Sequence, residues 1–214
     1  MRDAAAGTAS LNNLKEIGLA FHAYHDANGH LPPAAIRDKD GRPLLSWRVA
    51  LLPYLEEQTL YSQFHLDEPW DSPHNRPLLE NMPKVYRNLG DAPTDPHSTF
   101  YQVFVGKGTP FEDPKGLTLG AIDRADGTSN TLLVVEAGQA VPWTQPMDLP
   151  YAADQPLPPL GGIFKERFRF SKSSQAKYFR LLMVDASGRI FPKDGDERTL
   201  RALITWNGGE KVEW

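Results

Sequence analysis

Apolar residues along the chain change period partway through, and that change organises the rest of the reading. In LNNLKEIGLAFHAYHDANG, Leu11, Leu14, Ile17, Phe21 and Tyr24 recur three and four residues apart, which places them on one helical face. Ser10 reads as the N-cap and Gly29 as the stop, with Pro32 and Pro33 beyond it. Lys15, Glu16 and Asp26 take the wet side, so the single stripe predicts a helix laid against a sheet. A second helical stretch starts at Ser46 and carries Trp47, Leu51, Tyr54 and Leu55; Pro53 must break or kink it. WDSPHNRPLLENM reads as a short third helix, capped by Asp71 or Ser72 with Pro73 in its first turn.

Further on, β-branched and aromatic residues dominate. KVYR (84–87), FYQVFV (100–105), TLLVVEA (131–137), GIFKERFRF (162–170) and YFRLLMVDA (178–186) read as strands separated by Gly, Pro or Asp clusters. A last helix, DERTLRALITW, precedes a Gly-Gly turn and a short terminal strand, EKVEW. Helices first and strands afterwards, without βαβ alternation, predict an α+β fold with an antiparallel sheet and additional short helices. The stretch from Val141 to Gly162 holds six of the 19 prolines. Its apolar anchors Trp143, Leu149, Tyr151, Leu157 and Leu160 favour a long loop strapped over the sheet instead of a linker, so residues 1–214 are read as a single domain.

Composition removes several function classes. With 23 basic and 27 acidic residues, net charge −4 and no long run of either sign, the chain lacks the clustered cations of a nucleic-acid binder. The absence of cysteine excludes disulfides, thiol nucleophiles and Cys-based zinc sites. No apolar run reaches the ~18 residues that would indicate a bilayer span.

Candidate chemistry is sparse. His22 and His25 sit three apart on the first helix, but no Glu lies between them and no third ligand stands at a standard spacing, so hydrogen-bonded boundary histidines are the better reading. Asp67, Glu68, Asp71 and His74 form a denser group, which either caps a helix start or serves as an acid–base or cation site; capping is favoured. Trp70 within that group, and Trp143 in the proline-rich stretch, are the aromatics available to stack on a ligand, so Trp70, Asp71, His74 and Trp143 make the candidate binding set. DRADGTSNT resembles a calcium loop only superficially, because aligning Gly127 with the loop glycine puts Ile122 at the first ligand position. It reads as a turn, with Asp123 and Asp126 left as candidates for an irregular calcium site; no other cofactor is indicated. There is no G-x-S-x-G elbow and no phosphate-binding loop, and Gly106-Lys107-Gly108 is not a dinucleotide fingerprint. The residues point to no enzyme.

The strings NNLKEIGLAFHAYHDANGHLPPA, SWRVALLPYLEE, LYSQFHLDEPWDSPHN, MPKVYRN, DGTSNTLLVVEA, VPWTQPMDL and LRALITWNGGE, in this order, resemble the domain of unknown function 1559 family, prepilin-like proteins expanded in planctomycete bacteria and also filed under a solute-binding name. The resemblance implies a pilin-like N-terminal helix packed on the sheet. It also implies a cleavable leader and an upstream apolar helix running into the helix near Ser10, and a location outside the cytoplasmic membrane. Two departures stand out: Gln175 replaces the His of the family's late signature and Asp185-Ala186-Ser187-Gly188 its Asp-Gly, while Ser10 and Asn88 stand where the family commonly carries Cys.

Two readings of function follow. One is a non-enzymatic, membrane-anchored, extracytoplasmic pseudopilin-like domain that assembles with other envelope or pilin-like proteins, or with itself. The other is an extracytoplasmic domain binding a small solute or glycan.

Overall fold

The computed structural model describes residues 2–92, 94–112, 114–164 and 177–210, with side chains from residue 4 onward. Helix α1 spans Arg2–Asn28, well before the expected start. Ser10 is therefore not an N-cap: it lies inside α1, fully buried. The buried positions Leu14, Ile17, Ala20 and Phe21 follow the helical period, and full burial of a side chain such as Phe21 contributes about 1.5–3 kcal/mol. Gly29 ends the helix with φ of 81°, its N–H returning to His25 O.

A hairpin of β1 (Ala35–Arg37) and β2 (Pro43–Ser46) comes next, followed by the short helix α2 (Trp47–Ala50). A 3₁₀ turn over Leu52–Tyr54 carries Pro53 near its start, which is how the expected break at that proline is accommodated. Helix α3 (Gln58–Tyr61) and 3₁₀ turns over Arg76–Asn81 and Lys84–Tyr86 complete this half. Two expectations are corrected here. The third helix is a 3₁₀ segment beginning at Arg76, with Asn75, not Asp71 or Ser72, at its cap. KVYR is not a strand, because the Tyr86 and Arg87 N–H groups bond back locally to Pro83 and Lys84.

The main sheet has the order β3 (Ser98–Gln102), β5 (Leu132–Pro142), β7 (Tyr178–Met183), β8 (Gly188–Pro192), and every neighbouring pair is antiparallel. FYQVFV is split at Val103, whose N–H is taken by Asp148 Oδ1 at 3.0 Å and whose carbonyl accepts from Leu149. The chain thereby leaves β5, and β4 (Phe104–Val105) pairs in parallel with β6 (Leu149–Pro150). Helix α4 (Leu119–Arg124) precedes β5, and α5 (Glu197–Ile204), capped by Asp196, closes the described chain. Residues 165–170 of the expected strand GIFKERFRF, Gln175, and 211–214 of EKVEW lie outside the described residues.

Alternation along the strands divides the core in two. Leu133, Leu182 and Val184 join the cluster with α1, Trp47, Tyr86 and Trp143. Val135, Ala137, Phe179, Leu181 and Met183 face the other way, under α5 and the proline-rich loop, where Leu149 and Tyr151 are buried and Leu157 and Leu160 pack. That loop is tied down by Gly138 N–H to Pro159 O at 2.7 Å and by Arg201 Nη2 to Gln155 O at 2.7 Å.

Candidate functional site

Four features of this fold carry chemistry. The first is a buried polar junction where α1 meets the sheet. Beneath α1, Glu136 on β5 and Arg180 on β7 are both almost entirely buried. Arg180 donates to Glu136 Oε2 from Nη1 at 3.1 Å and from its backbone N–H at 3.0 Å. The Ser10 hydroxyl donates to Glu136 Oε1 at 2.5 Å and lies 2.8 Å from the Tyr101 hydroxyl. Burial pushes the Glu136 carboxyl up, against the downward pull of Arg180 and Ser10, and burial likewise pushes Tyr101 up. This buried network ties the helix to the sheet.

A second buried pair joins α2 to the loop before β6. Arg48 Nη2 donates to Asp148 Oδ1 at 2.8 Å, and the same oxygen accepts from Trp47 Nε1 at 3.2 Å. Arg48 Nε donates to Tyr101 O at 3.0 Å, and its guanidinium lies 4.7 Å from the Trp47 ring centroid. Burial raises the Asp148 carboxyl more than Arg48 and the donated N–H groups lower it.

The third feature holds most of the residues singled out in the sequence, and the structure separates them. Asp71 and His74 are exposed, and Trp70 is half-buried against the first core cluster. The His74 ring stacks on His65 with centroids 3.4 Å apart, and its Nε2 donates to Gln63 O at 2.8 Å. His65 Nδ1 and the Ser72 hydroxyl both donate to Glu68, which holds that carboxyl below its usual range. Asn75, fully buried, organises the loop by accepting from His65 N–H and donating to His65 O.

Trp143 requires a correction: its indole is fully buried, so it presents no face to an external ligand. His22 and His25 point apart, the first donating to Val184 O at 2.7 Å and the second accepting from Leu119 N–H at 3.2 Å. Asp123 is exposed on α4, whereas Asp126 accepts from Gly208 N–H and Gly209 N–H, one on each oxygen, at 2.8 and 2.9 Å. Among the described residues no group of three or more His, Asp or Glu could hold a metal ion.

The fourth feature was not anticipated. A cleft of about 470 Å³ opens between the segment around Glu80, Met82, Arg87 and Asn88 and the loop carrying Asp95 and His97. Trp143 fixes both walls from beneath: its Nε1 donates to Leu79 O at 3.0 Å and its backbone N–H to His97 O at 3.0 Å. The residue proposed as a contact is thus a strut. No periodicity marks this cleft, because most of its lining residues come from turns and loops.

The buried charges were legible in principle. Glu136 in TLLVVEA, Arg180 in YFRLLMVDA and Arg48 in SWRVALLPYL are lone charges inside apolar runs, and such charges need partners.

These features define a helix-on-sheet α+β domain whose long helix is held by a buried ionic junction and which carries a polar surface cleft. The chain belongs to the family described as Protein of unknown function (DUF1559), SBP_bac_10, which matches residues 1–121, from α1 into α4. No curated protein and no solved structure matches it. Among the described residues no helix is long and apolar enough to cross a membrane.

Proposed function

We propose that this chain is the extracytoplasmic, non-enzymatic head of a membrane-anchored, pseudopilin-like protein, in which α1 continues an upstream apolar helix and the head serves in assembly with envelope partners. The observation that supports it best is the way α1 is fastened. Its contacts with the head run from Ser10 on Glu136, through Gly18 on Ala186, to His22 on Val184 O. A helix held by buried polar contacts and close backbone approaches along its length is stiffly coupled to its head. That stiffness is what a subunit positioned by its helix requires. Family membership adds to the reading by resemblance alone.

The test is fractionation of the native gene product in its own host, with protease added to spheroplasts. A membrane-bound product that resists a high-salt wash and is digested from outside supports the proposal. A product found in the soluble cytoplasmic fraction and protected from protease overturns it.

A further inference from the structure

We infer that the cleft over Trp143 is a binding site for a small zwitterion bearing a free ammonium and a free carboxylate, the chemistry of an amino acid or a peptide with both ends unblocked. This stands apart from the anchoring proposal, since it depends only on the cleft.

Its size comes first. About 470 Å³ lies within the range of roughly 300–1,000 Å³ usual for small-molecule sites. Its charges decide the class of ligand. The cleft is lined by Arg87, by the carboxyl groups Glu80 and Asp95, and by His97. Among the described residues neither Arg87 nor Glu80 has an oppositely charged partner; the Arg87 guanidinium reaches only Met82 O, at 3.4 Å. Asp95 spends one oxygen on the His97 N–H at 2.8 Å, and its other oxygen faces no donor among the described residues.

A cleft with one sign of free charge would select an ion. This one offers both signs, and they do not neutralise each other. A guanidinium fork matches a carboxylate, and carboxylates match an ammonium through charge-assisted hydrogen bonds. Buried Met82 gives the cleft an apolar element against which an aliphatic side chain can rest.

The walls are also fixed in advance. Trp143 bonds to the backbone of both, and its ring is wedged between Phe64 and Tyr86, with centroids 5.9 and 6.1 Å away. A site whose walls share one buried strut loses little freedom when a ligand enters. The lining charges themselves stand on the surface, Glu80, Arg87 and Asp95 all being exposed, so they can be changed without disturbing the core.

The experiment is an amide-shift titration of the ¹⁵N-labelled chain with L-glutamine, with glycylglycine, with N-acetyl-glutamine amide and with glucose, each to about 10 mM. Saturable shifts confined to residues 80–98 and 143 are expected with glutamine or glycylglycine, and none with the blocked amide or with glucose. Which of the two zwitterions binds more tightly tells a free amino acid from a peptide. Arg87→Gln and Glu80→Gln should each weaken binding at least about tenfold while leaving distant signals in place. No saturable shift with either zwitterion overturns the inference. So does an equal response to the blocked amide, a response to glucose alone, or unchanged affinity in both variants.

Discussion

The Ser10 hydroxyl, on the third turn of α1, donates to Glu136 Oε1 at 2.5 Å across 126 residues of chain. Through this contact the helix reaches a carboxylate buried in the sheet beneath it. Glu136 shares that carboxylate with Arg180, so a single acid ties together α1, β5 and β7.

Ser10→Ala leaves a buried acceptor short of a charge-assisted bond and is expected to destabilise by about 1.5–3 kcal/mol. Glu136→Gln is worse, because it removes the negative charge to which the buried Arg180 guanidinium donates at 3.1 Å; the expected cost is roughly 3–5 kcal/mol. Urea unfolding checks both. A Glu136→Gln chain as stable as the parent would show that the ionic junction does not hold the helix.

Arg48 and Asp148 make the second buried pair, at 2.8 Å, with side-chain exposures of 0% and 3%. Arg48→Met alone strands the Asp148 charge, and Asp148→Leu alone strands Arg48, so each single change is expected to cost about 3 kcal/mol or more. The double variant removes both charges together and should cost less than the sum by at least about 1 kcal/mol. Additive costs in the unfolding cycle would mean that the pair is uncoupled.

The parts of this molecule visible in the sequence are those written as a period. Leu14, Ile17 and Phe21 announced α1 and the face it buries, and TLLVVEA announced β5, because neighbouring residues alone decide those patterns. What stayed hidden depends on distant partners. Ser10 looked like a cap because serine starts helices, but the helix continues through it toward Glu136. FYQVFV looked like one strand, yet Asp148, 45 residues further on, captures Val103 and splits it. Strands β1, β2 and β8 are three to five residues long and too short to show alternation. Trp143 looked like a ligand platform because an aromatic in a proline-rich stretch reads as exposed, and only the tertiary fold covers it.

The two oxygens of Asp126 are both engaged by backbone N–H groups of the turn after α5. Calcium would have to displace those bonds, and Asp123 stands exposed on α4. Adding about 1 mM calcium is therefore expected to leave Tm unchanged, whereas a ligand at a hundred times its Kd would stabilise by about 2.7 kcal/mol. Asp126→Ala, by contrast, should free the turn at residues 207–209, read as faster amide exchange there. A calcium-dependent rise in Tm that disappears in Asp126→Ala would reverse this reading.

The β1–β2 and β7–β8 hairpins turn in the same way. In the first, Gly41 N–H returns to Asp38 O, Asp38 N–H bonds Arg42 O, and Gly41 has φ of 81°. In the second, Ala186 N–H returns to Met183 O, Met183 N–H bonds Ser187 O, and Ala186 has φ of 63°. An L-residue held in that left-handed region costs roughly 1–2 kcal/mol, and it is the position where a hairpin of this geometry takes glycine. The methyl group that creates the strain also packs on α1: a Cβ added at Gly18 would stand 2.8 Å from Ala186 Cβ. Gly18→Ala gains up to about 1 kcal/mol in helix propensity, but overpacking against a fixed turn costs about 1–3 kcal/mol, so net destabilisation is expected. Ala186→Gly relieves the backbone and should be neutral or stabilising by up to about 1 kcal/mol. Combined, the two changes exchange a methyl between helix and turn, and the double variant should be more stable than the sum of the singles predicts by about 1 kcal/mol. Urea midpoints of the four chains decide it. Effects that simply add would mean that α1 and the β7–β8 turn do not press on each other, and the stiff coupling of helix to head would lose one of its contacts.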